Sequence, residues 1–305
     1  MEFGLAVNIR ESIEEIREII QASKGSNINQ IWVTDYPATR YAPIVAAALA
    51  KETQSMRFGM GLLSPLLHPL DQIKRTIQSL ISRYGERFDI LIGPGDRFAL
   101  ANVGVDYGEI DTLVNRLVDD AIELKSYVSE EGFDCRVFMA AQGPKMIAES
   151  MKTDGVILNY SSMEHIKWAL NRLDNVSSEF IVSVFPPTHI TQNNECEFSY
   201  EVKRAAAMVI LGLSQSAIKE LSIDESLSDA KQLHRDKGYI DREVLEAISQ
   251  ESLQKFSLCT TEVGVQEYLK QIESIGTDMV VFGPPVGKEK SNVKQLLCAL
   301  NEMKP

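Results

Sequence analysis

The chain has 305 residues, 44% of them hydrophobic and 24% charged, which excludes a disordered, fibrous or disulfide-stapled protein. A chain of this length buries about 75% of the surface it exposes when unfolded, so its core needs neither metal nor cross-link. The 31 Lys and Arg against 43 Asp and Glu leave a net charge of -12, and no basic face gathers to offset it, which argues against a nucleic-acid partner.

In chain order, eight short runs rich in Val, Ile, Leu and Phe alternate with amphipathic stretches, the pattern of parallel strands joined by helical crossovers. The runs are Glu2 to Val7, Gln30 to Thr34, Met56 to Gly61, Phe88 to Gly93, Cys135 to Ala140, Gly155 to Asn159, Glu179 to Phe185 and Asp278 to Phe282. After the first, Ser12 to Ser23 sets Ile13, Ile16, Ile19 and Ile20 on one helical face and Glu14, Glu15 and Arg17 on the other. After the fourth, Ile110 to Val128 does the same with Leu113, Leu117, Ala121 and Leu124 inside and Asp119, Asp120 and Glu123 outside. Eight strand and helix units predict a closed (β/α)8 TIM barrel. An open doubly wound sheet is the rival, but no Gly-x-Gly-x-x-Gly follows any strand.

The excess length lies between the seventh and eighth runs, where a helical insertion is expected over about residues 199–257. It comprises an apolar helical stretch from Tyr200 to Leu221, a polar one to Gly238, and another helical one from Asp241 to Phe256. No Pro- or Gly-rich linker or repeat divides the chain, so one domain is predicted. The longest apolar runs, Ala42 to Ala50 and Ala205 to Leu213, fall well short of the roughly 20 residues that span a bilayer, so no membrane partner is expected. The start at Met1 and Glu2 lacks a basic, apolar leader, and a cytoplasmic protein is expected. Cys135, Cys196, Cys259 and Cys298 lie far apart in the chain and read as inert core thiols.

In a parallel barrel the chemistry sits in the loops after the strands. Here these are Gly61-Leu62-Leu63-Ser64-Pro65, Gly93-Pro94-Gly95-Asp96, Ala141-Gln142-Gly143-Pro144, Asn159-Tyr160-Ser161-Ser162 and Gly283-Pro284-Pro285-Val286-Gly287. Small residues at so many strand ends let backbone amides approach a flat ligand or a phosphate. His68 reads as an ordinary hydrogen-bonded side chain, Arg40 as an anion contact or a paired cation, and the scattered His165, His189 and His234 make no metal site. Asp96 serves equally as a helix N-cap or as a pocket carboxylate.

The segments FDILIGPGD (88–96), MAAQGPKM (139–146), DGVILNYS (154–161) and DMVVFGPPVGKEK (278–290) resemble those of the methylenetetrahydromethanopterin reductases, within the bacterial luciferase-like superfamily of barrels. The resemblance runs from Met1 to about Lys294. It implies an oxidoreductase that moves a hydride between coenzyme F420 and a one-carbon pterin or a related small molecule, and a homo-oligomer, dimer or higher. It also implies a non-proline cis peptide at Gly61-Leu62 behind the deazaflavin ring. Cofactor contacts then fall on Asp35, Tyr36, Gly61, Leu62, Leu63, Ser64 and Gly93, with Gln142, Gly143, Asn159 and Ser161 around the phosphate and Asp96 as the catalytic candidate. Related enzymes often carry His where this chain has Tyr36. The reductases carry an acid in the stretch equivalent to 3–7, where this chain has Ala6. FMN in the same barrel, as a reductase or monooxygenase, is the alternative cofactor, and a coenzyme-binding homologue without chemistry is a third reading.

Overall fold

A computed structural model describes residues 1–8, 11–37, 40–53, 55–192, 199–223, 227–288 and 290–303. Among the described residues there are ten strands: β1 (Glu2–Val7), β2 (Gln30–Val33), β3 (Arg57–Leu63), β4 (Phe88–Ile92), β5 (Val137–Ala141), β6 (Gly155–Leu158), β7 (Ile181–Val184), β8 (Thr188–Ile190), β9 (Leu258–Thr260) and β10 (Met279–Phe282). Eight of them close a barrel in the order β1-β10-β7-β6-β5-β4-β3-β2, with every pairing parallel. The eight strand-like runs of the sequence are these eight strands, and the TIM barrel is borne out. The pair β8 and β9 forms a separate two-stranded parallel sheet that the sequence pattern did not reveal, each strand being only three residues long.

Local chemistry explains the helix boundaries. Ser12 caps Ile13–Ser23 in a reciprocal capping box with Glu15, and Ile16, Ile19 and Ile20 are buried. In Ile110–Glu130, Leu113, Leu117, Ala121 and Leu124 are buried as the periodicity requires. The insertion is more broken than expected. The stretch from Tyr200 becomes two helices, Tyr200–Leu211 and Gln215–Glu220, because Gly212 ends the first and the Ser214 hydroxyl caps the second. The polar stretch contains the helix Leu227–Lys237, and the last one splits into Arg242–Glu246 and Gln250–Lys255, capped by Asp241 and Ser249.

Two apolar layers result. The larger lies between barrel and helices and takes one set of alternate strand residues, such as Val182 and Val184 of β7. The other set fills the barrel itself: Ala6, Trp32, Leu91, Phe138, Ile157, Met279 and Val281. Trp32 dominates this plug, edge-on to Phe138 with ring centroids 5.7 Å apart. It occupies the space that side chains at two neighbours would need: a Cβ on Gly59 would lie 2.2 Å from the indole, and one on Gly4 2.8 Å.

Beneath Trp32 the N-terminal strand ends carry a charged layer. Its indole donates to Gln30 at 2.9 Å, and Gln30 in turn bonds Glu2. Asp89 is fully buried between Arg57 and Arg136, each at 2.7 Å, and Arg136 also pairs with Glu2 at 3.0 Å. Burial opposes ionisation of Asp89, but the hydrogen bonds from Arg57 and Arg136 outweigh it and hold the carboxyl below its ordinary value.

The cysteines are not four core thiols. Cys135 is buried, but Cys298 is exposed and Cys259, in β9, is disulfide-bonded. Cys196 lies outside the described residues. Separation along the chain misleads here because the long insertion brings the chain back, through β9, beside β8. Among the described residues no helix is long and apolar enough to cross a membrane.

Asp89→Asn removes the charge that both guanidiniums share, and a loss of about 3–5 kcal/mol in urea unfolding is expected. Because the folded carboxyl ionises below the ordinary 3.8, its contribution is complete above that pH and is lost as pH falls through the lower folded value. The variant is therefore expected to unfold with a weaker dependence on acid than the parent.

Candidate active site

The strand order and the Trp32 plug raise the floor of the barrel to its C-terminal mouth. Ala6, level with Trp32 in the β1–β2 register, belongs to the interior cluster, and Leu62, Ala140 and Phe185 pack on that cluster half-buried. Leu62 lies across Gly93: a Cβ there would meet Leu62 Cδ1 at 2.7 Å and Ala140 Cβ at 2.9 Å. Gly61 has φ +148, and a Cβ on it would lie 2.6 Å from the Leu91 carbonyl oxygen, so only glycine fits. The peptide Gly61-Leu62 is cis, as the resemblance implied, and sits where the β3–β4 register shifts between Met60 and Leu63. Leu63 turns the other way into the core between barrel and helices, leaving the mouth only its backbone. The floor is small and apolar.

Two polar walls stand on this floor. Over β2 to β4, the Asp35 amide donates to the Gly61 carbonyl at 3.1 Å. Its carboxylate accepts from the Ala42 amide at 2.8 Å and lies 2.7 Å from His68 Nε2. Asp35 thus reaches the cis junction through its backbone while its side chain orders the loop and helix Ala42–Leu49, and His68 is hydrogen-bonded as expected. Arg40 is tied to Asn8 Oδ1 at 3.2 Å and to the Glu11 carbonyl, which bind the β1 and β2 loops together rather than leaving it free for an anion. Ser64 donates to the Pro94 carbonyl at 2.9 Å, fastening the β3 loop to the β4 loop.

Asp96 caps the helix Arg97–Asn102, accepting from the Ala99 amide at 2.7 Å. That structural role does not exhaust it, because its charge is felt by Tyr36, Tyr107 and His234. Burial first, and Asp96 second, push the Tyr36 phenol up to about 12, so it stays protonated as a donor. Tyr107 is pushed up to about 12 chiefly by burial, while Arg97 over its ring at 5.5 Å works the other way.

The second wall spans β5 and β6. Buried Tyr160 donates its hydroxyl to the Gln142 carbonyl, and the Gln142 amide donates to the Val209 carbonyl of the insertion at 3.3 Å. Gly143 precedes the helix Pro144–Glu149, and a Cβ on it would have only the Ser214 hydroxyl near, at 3.7 Å. Ser161 is buried, yet its hydroxyl has no partner among the described residues. Asn159 is half-buried two residues beyond Ile157 of the interior set, which aims it at the mouth.

Sequence reasoning missed Tyr160 as the anchor of Gln142 and Ser214 as the neighbour of Gly143. The Ser214 signal, a hydroxyl three residues before an amide it caps, announces a helix start and nothing more. His165 lies buried against Phe256, with ring centroids 4.9 Å apart, and burial lowers its pKa to about 4.

No family model matches the chain. Against curated proteins, it is 20% identical to the 5,10-methylenetetrahydromethanopterin reductase of Archaeoglobus fulgidus and 20% identical to that of Methanolobus tindarius, covering 97% of this chain and 97% and 98% of theirs. The chain is similar to these reductases from end to end. Among solved structures, the coenzyme F420 dependent tetrahydromethanopterin reductase of Methanopyrus kandleri superposes with a TM-score of 0.81 at 16% identity, covering 98% of this chain and 97% of that one. An F420-dependent secondary alcohol dehydrogenase in complex with an F420-acetone adduct follows at 0.70, with 11% identity and 100% and 99% coverage. A type II Baeyer-Villiger monooxygenase of Pseudomonas putida in complex with FMN reaches 0.62, with 12% identity and 99% and 97% coverage. These likenesses bear out the barrel and the resemblance read from the motifs.

The electrostatic coupling across the first wall is measurable. The ultraviolet difference titration between the parent and Tyr36→Phe is expected to place the Tyr36 ionisation near pH 12, about two units above the ordinary 10.0. Asp96→Asn is expected to bring it down part of the way, since burial remains.

Proposed function

We propose that the protein is an F420-dependent oxidoreductase that transfers a hydride between the coenzyme and a one-carbon-bearing pterin or a related small molecule. The observation that carries this reading is the mouth itself. A small apolar floor of Leu62, Gly93 and Ala140 lies between a wall with a buried, unpartnered Ser161 hydroxyl and a wall with a protonated Tyr36 beside Asp96. The end-to-end likeness to the methylenetetrahydromethanopterin reductases supports it.

The residues fit such a coenzyme. A buried hydroxyl without a partner costs stability unless a ligand or water supplies one, and Ser161 stands on the same wall as Gly143 and Ser214. These three would hold the phosphate, with Gln142 kept in place by Tyr160 and Val209. Gly61, Leu62 and Gly93 would offer the ring a surface with no side-chain polar group, excluding water from one of its faces. F420, when bound, supplies the hydride chemistry. Asp96 accepts a hydrogen bond from the polar edge of the substrate or holds a proton at its carboxylate, and Tyr36 donates. Ser64 and the Asp35–His68 pair keep the loops that carry these groups in register.

Two other readings have observations in their favour. An FMN-dependent reductase or monooxygenase draws on the FMN-bound fold neighbour. A coenzyme-binding protein without chemistry draws on Ala6, buried near the end of β1 where the resemblance implied an acid.

Titration of the purified protein with each coenzyme separates them. F420 is expected to bind and FMN not, and tight FMN retention without F420 affinity reverses the ranking. Ser161→Ala is expected to weaken F420 binding by about 10- to 100-fold, the range of one hydrogen bond to a charged group. Bound F420 that exchanges no hydride with any reduced or oxidised pterin supports the carrier reading instead.

A further inference from the structure

The inserted segment does more than lengthen the chain. Lys231 donates to the Leu213 carbonyl and thereby ties the helix Leu227–Lys237 to the end of Tyr200–Leu211. That placement brings His234 against Phe98, with ring centroids 4.3 Å apart, on the helix that Asp96 caps. His234 is 7% exposed. Among the described residues its ring makes no hydrogen bond, and it is absent from the side chains whose fully sealed nitrogens lack partners, so its nitrogens face accessible space. Phe98 lies two residues beyond Asp96, the N-cap of their shared helix, and the Asp96 charge bears on both His234 and Tyr36.

The geometry points to His234 as a substrate-contacting, specificity-determining residue of the mouth, which with Asp96 clamps the hydrogen-bonding edge of a reduced pterin. The inference rests on the function proposed above and names the part of the substrate that this wall reads. A neutral imidazole offers one donor and one acceptor, and a carboxylate offers acceptors only. Together they match a planar heterocycle whose edge alternates donors and acceptors. Phe98 closes the apolar side and fixes the imidazole plane.

Burial keeps the ring in its neutral form at physiological pH, and Asp96 offsets this only in part. Other charged groups are carried by the elements that meet here. They are Arg97 beside Asp96, Lys231 and Arg235 on its own helix, Lys203 and Arg204 on Tyr200–Leu211, and Asp241 and Glu243, both paired with Lys237. Of all these, Asp96 is the one that bears on His234.

The test uses the full chain. Fluorescence titration with F420 reads the cofactor half, and steady-state kinetics with reduced F420 and 5,10-methylenetetrahydromethanopterin reads the substrate half. His234→Ala is expected to keep F420 affinity within about twofold while KM for the pterin rises about tenfold or more, the loss of roughly one hydrogen bond. His234→Gln, neutral and able both to donate and accept, is expected to recover most of that. An unchanged KM in His234→Ala, or a Gln variant as impaired as the Ala variant, overturns the inference in favour of simple packing. Should His234→Ala fail to fold, ring-nitrogen magnetic resonance of the F420-loaded parent decides: the pterin must shift the His234 signals, and unmoved signals overturn it. A parent that binds no F420 overturns the functional reading first, and this inference with it.

Discussion

The structure depends on one residue's occupation of the barrel. Trp32 takes up the middle of the interior because Gly4 and Gly59 leave it room, and its indole nitrogen hangs from Gln30 above the buried Asp89 and its half-buried partners Arg57 and Arg136. A barrel filled in this way has no axial channel. Toward the C-terminal mouth, Leu62 and Ala140 pack against this interior cluster and lie around Gly93. The bulk low in the barrel is what makes a shallow, flat and apolar floor high in it.

That floor discriminates little by itself, so discrimination falls to the walls. Loops from β2, β3 and β4 are joined by backbone and side-chain bonds through Asp35, His68 and Ser64, and they carry Tyr36 and Asp96 as a donor and an acceptor. On the other side, Tyr160 and Val209 hold Gln142, so the wall of β5 and β6 is completed by the insertion. The inserted segment thus reaches the loops of both sides, with Ser214 beside Gly143 and His234 against Phe98 on the helix that Asp96 caps. An insertion with few constraints from the barrel core is a natural place for related barrels to differ in substrate.

Position 6, where the resemblance implied an acid, fits the same picture. Ala6 belongs to the apolar plug and is packed over by the residues of the mouth. The ionisable groups available to a substrate here stand on the β2–β4 side instead, around Asp96.

What the sequence determined by itself was the periodic part. Alternation of apolar runs with amphipathic helices located all eight barrel strands and the capped helix at Ser12, because those signals are local and repeat every two or 3.6 residues. Glycines of the loops were legible as residue types, but what requires Gly61 and Gly93, their contacts with Leu91 and with Leu62 and Ala140 on adjacent strands, belongs to the closed sheet. Only the tertiary structure decided which polar groups meet. Asp35 with His68, Tyr160 with Gln142, and His234 with Phe98 are pairings between distant segments. Cys259 and the strands β8 and β9 likewise depend on where the chain returns after its insertion. Such contacts leave no periodic trace, because the energy that selects them is paid out in the packing of whole elements and not in the preferences of single residues.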